Sequence, residues 1–131
     1  MVARGERVIQ EGNGWRLGWD ATASDYPALL AGEGWALELT ALEFKDFCRL
    51  AQELAATLET MAQVLMEQEQ VTCELESEYI WLEAEGFPDQ YCLRFILQTG
   101  RRGEGQWQHH SSREVVAAIA VLASDQLQLH P

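Results

Sequence analysis

Lysine is nearly missing from this chain of 131 residues, and Lys45 is the single lysine among nine basic residues. Aspartate and glutamate together number 21, so the formal net charge at pH 7 is −12. Between Arg49 and Arg94 the sequence has no basic residue, although ten acids fall there. A charge of this sign repels nucleic acid and anionic membranes, and it favours solubility or a basic protein partner.

Long apolar runs and a disulfide framework are also missing. No run approaches the ~20 apolar residues of a membrane-spanning helix. The start of the chain, MVARGERVIQEGNGW, lacks the apolar core of a signal peptide. The three cysteines, Cys48, Cys73 and Cys92, are an odd number at wide spacings, which is typical of reduced thiols in an apolar core. We therefore expect a soluble cytoplasmic protein without a membrane segment, a metal or another cofactor.

The apolar residues that are present predict two helices. Hydrophobic residues make up 47% of the chain, enough for the core of one domain spanning residues 1–131. Apolar side chains recur every three or four positions over about 41–68 and again over about 112–126. Thr40 with Glu43 predicts a capping box at the first helix start, and Ser111 with Glu114 predicts the same at the second.

Between and before these helices, apolar and polar residues alternate with period two, which predicts antiparallel strands with one wet face. The clearest strands lie over about 71–76, 79–85 and 91–98, followed by a short strand that contains Trp107. The first third predicts strands around Val8, over 15–20, around Leu29 and over 35–39. Pro27 favours an edge position for the strand around Leu29.

The tripeptide Gly-Glu-Gly occurs at 32–34 and again at 103–105, in each case before a strand and then a helix cap. A phosphate-binding loop would place its glycines directly at the helix N-terminus, and here a strand intervenes. We interpret both tripeptides as hairpin corners. Their offset of 71 residues predicts two pseudo-repeats, about 1–68 and 69–131. The expected fold is α+β, with two tandem units of about four antiparallel strands and a helix, the helices packed on one side of curved sheet.

Three stretches, GNGWRLGWD, GEGWALELTALEF and YIWLEAEGFPDQYCLRFIL, resemble a cyanobacterial family known as domain of unknown function 1818. The resemblance covers nearly the whole chain. It implies the fold of the single-stranded-DNA-binding transcriptional regulators, which include positive cofactor four and the Whirly proteins. It implies no activity, cofactor or site residues.

The candidate contact surface is the predicted strand that carries Tyr79, Trp81, Glu83 and Glu85 on one face. If the opposite face, with Ile80 and Leu82, is the core, these aromatic residues lie outward among carboxylates, as in a protein contact surface. The alternative is a shifted register in which Trp81 belongs to the core. Paired carboxylates on an exposed strand lack the cleft that acid–base catalysis requires.

Nucleic-acid binding is the second hypothesis, and it would use Arg101 and Arg102 on phosphate and Trp107 as a stacking platform. The adjacent residues His109 and His110 point to opposite sides of an extended segment, so they do not form a metal site. No nucleophile motif is present. We therefore expect a non-enzymatic binding or regulatory module that contacts another protein, with homo-oligomer formation left open.

Overall fold

The computed structural model describes residues 7–64 and 69–127. The first half contains four strands and a helix: β1 (Arg7–Gly12), β2 (Trp15–Asp20), β3 (Ala28–Gly32), β4 (Trp35–Leu39) and α1 (Ala41–Val64). The second half repeats this order with β5 (Val71–Glu76), β6 (Ile80–Phe87), β7 (Gln90–Leu97), β8 (Glu104–Trp107) and α2 (Ser112–Leu122). A π-helical turn, Ala123–Leu127, continues α2. The predicted end of the first helix, 65–68, lies outside the described residues.

Each half forms one antiparallel sheet in which neighbouring strands in sequence are neighbours in space. The orders are β1-β2-β3-β4 and β5-β6-β7-β8. Short turns make this arrangement possible, since Asn13-Gly14 joins β1 to β2 and Gly14 adopts the positive φ of +83° that such a turn needs. The predicted α+β class, with two four-stranded units that each end in a helix, is confirmed.

The helices link the two sheets through one continuous core. Helix α1 packs on β5 and β6, while α2 packs on β2 of the first sheet and β7 of the second. Trp19 stacks on Phe44 of α1, with their ring centres 5.7 Å apart. Phe95 stacks on Trp107 at the same distance, and the edge of Phe47 meets Phe95. Side chains from both halves therefore exclude water from a shared interior.

Two tryptophans connect the halves in opposite directions. The indole N–H of Trp35, on β4, donates to the carbonyl of Gln106 on β8 at 3.0 Å. The indole N–H of Trp107, on β8, donates to the carbonyl of Ala31 on β3 at 2.9 Å. Trp19 is buried, and Trp15 and Trp35 are partly buried and pack against the same core.

The prediction that Pro27 confines its strand to a sheet edge is wrong, because β3 lies between β2 and β4. The strand begins one residue later, at Ala28, so the missing N–H of proline interrupts no ladder. The carbonyl of Pro27 still accepts a hydrogen bond from the backbone N–H of Asp20 at 2.8 Å. Proline directly before a central strand therefore does not disturb the hydrogen bonds of the sheet.

The capping box is confirmed at α1 and wrong at α2. At α1, Thr40 Oγ1 accepts from the Glu43 backbone N–H, and Glu43 Oε1 accepts from the Thr40 backbone N–H. At α2 the Ser111 hydroxyl donates instead to the Asn13 carbonyl. Glu114 accepts from the Trp15 indole at 2.8 Å. Both side chains of the expected second box thus hold α2 to the first sheet.

The two Gly-Glu-Gly tripeptides differ in structure. Glu33 and Gly34 form the turn between β3 and β4, so the first is a hairpin corner as expected. The second is not, because β8 starts at Glu104 and the turn lies earlier, at Gly100 and Arg101. Gly105 leaves room for the Trp35 ring, which lies 2.4 Å from where a Cβ would stand. The same letters therefore meet different needs in the two halves.

Candidate functional site

The outward side of the second sheet carries a surface that we call the carboxylate face. Its acidic members come from β5, β6 and β8, and its other members come from β6, β7 and β8: Glu74, Glu76, Glu83, Glu85 and Glu104, with Trp81, Arg94, Ile96 and Gln106. The inward side of the same strands contains buried residues such as Leu82 and Phe95. Five carboxylates thus share the surface with a single guanidinium.

The strand register arranges this face in rows. One row runs across the sheet as Glu76, Trp81, Ile96 and Glu104, so two half-buried apolar side chains have a carboxylate at each end. The neighbouring row is Glu74, Glu83, Arg94 and Gln106. Cross-strand neighbours of this kind lie about 5 Å apart at their Cβ atoms. The face is therefore an apolar centre with an acidic rim.

Trp81 is held in a fixed orientation by its polar neighbours. Its indole N–H donates to Glu74 Oε1 at 3.0 Å. The Arg94 guanidinium lies over the indole ring, 5.0 Å from the ring centre, and 3.8 Å from Glu83 Oε1. The outward register expected for Trp81 is confirmed, and the alternative of a core tryptophan is wrong. An aromatic side chain that is already ordered loses little conformational entropy when a partner binds.

Tyr79 differs from the other residues predicted for this surface. It lies in the turn before β6, where its backbone carbonyl accepts from the Gln98 backbone N–H at 2.7 Å, and its side chain packs against the core. Ser77 Oγ accepts from the Tyr79 and Ile80 backbone N–H groups and donates to Asp46 of α1. Tyr79 therefore fixes the start of β6, whereas Trp81, Glu83 and Glu85 form the outward surface.

Arg101 occupies a position between the two halves. Its guanidinium donates to Glu43 Oε1 and to the Glu38 carbonyl at 2.9 Å. It also lies over the Tyr26 ring, 4.7 Å from the ring centre. All these contacts are intramolecular, so phosphate would have to compete with a buried carboxylate for this side chain.

Glu43, the partner of Arg101, is a buried carboxylate with several donors. Thr99 Oγ1 donates to its second oxygen at 2.9 Å. Burial opposes ionisation of Glu43, but the hydrogen bonds from the Thr40 backbone, Thr99 and Arg101 outweigh it, and the pKa of Glu43 lies below its usual value. Glu43, Thr99 and Arg101 therefore connect α1 to the β7–β8 turn by hydrogen bonds.

The remaining nucleic-acid candidates are separated from each other. Arg102 is exposed and adopts a left-handed φ of +54° beyond the tip of the turn. Trp107 has 1% of its surface exposed and lies in the core, so its ring cannot stack on a base in this structure. The basic and aromatic parts of the expected groove are therefore not brought together.

Two depressions formed by the described residues lie away from the carboxylate face. One of about 180 Å³ lies over the outer side of the first sheet, beside Ile9, Gly18 and Tyr26. A second of about 390 Å³ lies between α1, α2 and the β6–β7 turn, beside Leu58, Tyr91 and Arg113.

The remaining candidates for chemistry are potential metal ligands and cysteine thiols. Among residues 7–64 and 69–127, no three His, Cys, Asp or Glu side chains converge to hold a metal. His110 pairs with Glu33 at 3.0 Å, and its ring stands at 89° to that of His109. Burial raises the pKa of Cys48 to about 12, so this thiol stays protonated. No helix within these ranges is long and apolar enough to cross a membrane.

Sequence reasoning did not include Arg94, Ile96 and Glu104 in the site. The alternation places each of them on the outward side of its own strand, but only the register shows that they adjoin Trp81 and Glu83. The signal available was the two-residue turn at Pro88-Asp89, which fixes how β6 pairs with β7. Counting back from that turn aligns Glu83 with Arg94.

Comparison with known proteins identifies the family without adding a function. Residues 10–122 match the family described as domain of unknown function (DUF1818). A solved structure of a protein with unknown function from Prochlorococcus sp. NATL2A, described as from the DUF155 family, is similar with a TM-score of 0.83 and 30% identity. The match covers 88% of this chain and 98% of that one. No curated protein matches.

Proposed function

The chain belongs to the DUF1818 family, and we propose that it is a non-enzymatic binding or regulatory module that contacts another protein through the carboxylate face. The observation that carries this proposal is the row of Trp81 and Ile96 with Glu76 and Glu104 at its ends. Apolar centres inside polar rims are the usual construction of protein interfaces, and tryptophan is enriched at their energetic centres.

The expected partner presents an apolar side chain surrounded by lysine or arginine. Glu74, Glu76, Glu85 and Glu104 are exposed, whereas Glu83 is partly neutralised by Arg94. Complementary charge across an interface accelerates association and excludes acidic competitors more than it adds affinity. The rim therefore selects the partner, and Trp81 with Ile96 supplies the contact area.

The experiment compares two variants with the same change in charge. Wild-type protein, Glu83→Lys/Glu85→Lys and the control Glu53→Lys/Glu59→Lys on exposed positions of α1 are immobilised, and proteins captured from a cyanobacterial extract are quantified by mass spectrometry. We expect a specific protein to be retained by wild type and by the control and to fall by about 10-fold on the carboxylate-face variant. A captured set that is the same for all three refutes the proposal.

Nucleic-acid binding is the competing function, since we propose that the two-sheet plan is related to that of the Whirly and positive-cofactor-four regulators. Binding of an unpaired strand requires a basic groove together with stacking rings. On this chain the outward ring, Trp81, is rimmed by carboxylates, while Trp107 is buried and Arg101 is paired with Glu43. These observations favour a protein partner over a nucleic acid.

A further inference from the structure

The outer edges of the two sheets differ in a way that the proposed function does not use. Strand β8 packs against β3 and β4, so the edges on that side cover each other. Strands β1 and β5 lie at the opposite ends, and within residues 7–64 and 69–127 each has a strand neighbour on one side only. A row of unpaired backbone N–H and C=O groups is a template for another strand.

The register shows which backbone groups of β1 point away from the sheet. In a hairpin with a two-residue turn, the residues next to the turn form a hydrogen-bonded pair, and such pairs alternate along the strands. Gly12 pairs with Trp15 next to the turn, so Gly12, Gln10 and Val8 bond to β2. The backbone groups of Arg7, Ile9 and Glu11 therefore point to the open edge.

The side chains of β1 are complementary to those of a second copy of the same strand. If two copies pair antiparallel about a twofold axis through Ile9, then Arg7 of each copy lies opposite Glu11 of the other. Ile9, which is 42% exposed, lies opposite its own equivalent. All three outward-pointing residues thus find a cross-strand neighbour of suitable chemistry, and opposite charges in this position are stabilising.

Strand β5 is the natural comparison, because the same rules exclude it. Ser77 N–H donates to the Ile80 carbonyl across the turn, so the outward-pointing residues of β5 are Thr72, Glu74 and Glu76. A twofold pairing would place Glu74 opposite its own equivalent and Glu76 opposite Thr72. Like charges directly opposite each other are destabilising, and charged residues are a known protection of edge strands.

We propose that the protein forms a homodimer through antiparallel pairing of β1 with β1 of a second copy, which joins the two first sheets into one continuous eight-stranded sheet. The surface lies on the other sheet from the carboxylate face and does not depend on its function. A short edge buries less area than a standard protein interface, so we expect a weak dimer with a Kd of about 1–100 μM.

The test uses two charge-reversal variants and their mixture. Arg7→Glu places glutamate opposite glutamate in the homodimer, and Glu11→Arg places arginine opposite arginine. Each variant alone should dissociate at about 10-fold higher concentration than wild type in sedimentation equilibrium. Mixed in equal amounts, they should recover a heterodimer, because each mismatch then becomes an opposite-charge pair. Circular dichroism checks whether both variants are folded.

A backbone variant tests the pairing independently of charge. Ile9→Pro removes an outward N–H without removing a bond to β2, and proline is tolerated at edge strands. We expect it to abolish the dimer, whereas the matched change Glu74→Pro on β5 leaves the dimer intact. The proposal is overturned if wild type remains monomeric up to about 1 mM at physiological salt. A dimer that is unaffected by all the β1 substitutions, or variants that fail to recombine, also overturns it.

Discussion

At the scale of single residues, Glu43 combines two tasks. Its backbone N–H and its side chain both take part in the cap of α1, while its two carboxylate oxygens accept from Arg101 and Thr99 of the second half. The Glu43 side chain is 4% exposed, and these bonds satisfy carboxylate oxygens that would otherwise be buried without a partner. One carboxylate therefore starts a helix and ties the halves of the chain together.

The depressed pKa of Glu43 predicts a particular dependence of stability on pH. Because the folded pKa lies below the unfolded value of about 4.5, the folded state binds fewer protons in this range. The contribution is fully present above the unfolded pKa and is lost as the pH falls through the lower, folded pKa. In Glu43→Gln we expect the free energy of unfolding at pH 7 to fall by about 2 kcal/mol, since three donors lose a charged acceptor.

Urea denaturation at pH 7 and at pH 3 measures this effect, with the exposed Glu53→Gln as control. The difference between wild type and Glu43→Gln should shrink toward acidic pH, whereas the control stays within about 0.5 kcal/mol of wild type at neutral pH. A difference that is constant across the pH range would show that Glu43 contributes by packing and not by its charge.

At the scale of elements, β8 fits its place because Gly105 has no side chain where Trp35 of β4 approaches. Gly105 lies under the Trp35 ring. A Cβ atom on Gly103, the residue before β8, would lie 2.7 Å from the Leu37 side chain of β4. The reciprocal indole hydrogen bonds of Trp35 and Trp107 require this close approach. The strand therefore depends on a glycine inside it, where glycine is normally unfavourable.

Substituting alanine for Gly105 should separate the two sheets locally. The new methyl group would overlap the Trp35 ring, and overpacking of this kind costs about 1–3 kcal/mol of the free energy of unfolding. Gly100→Ala is the matched control, because nothing lies within 4 Å of the equivalent Cβ. Thermal denaturation of both variants tests this, and equal melting temperatures would contradict the packing that we describe.

At the scale of the whole molecule, the carboxylate face and the β1 edge differ in their charge. The chain carries a net charge of −12, and the carboxylate face concentrates acids around Trp81. The β1 edge carries one arginine, Arg7, and one glutamate, Glu11, which is the charge pattern that the proposed pairing of two copies requires. The net charge of the whole chain is unfavourable for the approach of polyanions at long range.

Sequence patterns predicted the elements better than their assembly. Alternation and helical periodicity are local, so the strands, the helices and the outward register of Trp81 follow from the residues near them. The roles of Ser111, Glu114 and Trp107 do not, because their partners Asn13, Trp15 and Ala31 are about 76–99 positions away in the chain. The residues of the candidate site on β6 could be predicted from the sequence, whereas its residues on β7 and β8 depend on the strand register.

The repeat in the sequence misled the interpretation where the two halves meet. Identical spacing from Gly-Glu-Gly to the helix start suggested identical local structures, yet Glu43 caps α1 and Glu114 binds Trp15. Duplicated segments that pack on each other occupy different environments, so equivalent letters acquire different partners. Pro27 shows the same dependence on surroundings within one sheet. Proline would interrupt the hydrogen bonds of a central strand that contained it, but β3 begins one residue later.

We expect the acidic surface to exclude nucleic acid whatever scaffold lies beneath it, and one titration tests this most directly. A fluorescently labelled unpaired oligonucleotide is titrated with the protein at low salt, where electrostatic binding is strongest. We expect no saturable change in anisotropy. Saturable binding that weakens steeply as salt is added, and that is lost in Arg101→Ala/Arg102→Ala, would contradict the claim and assign the protein to the nucleic-acid binders.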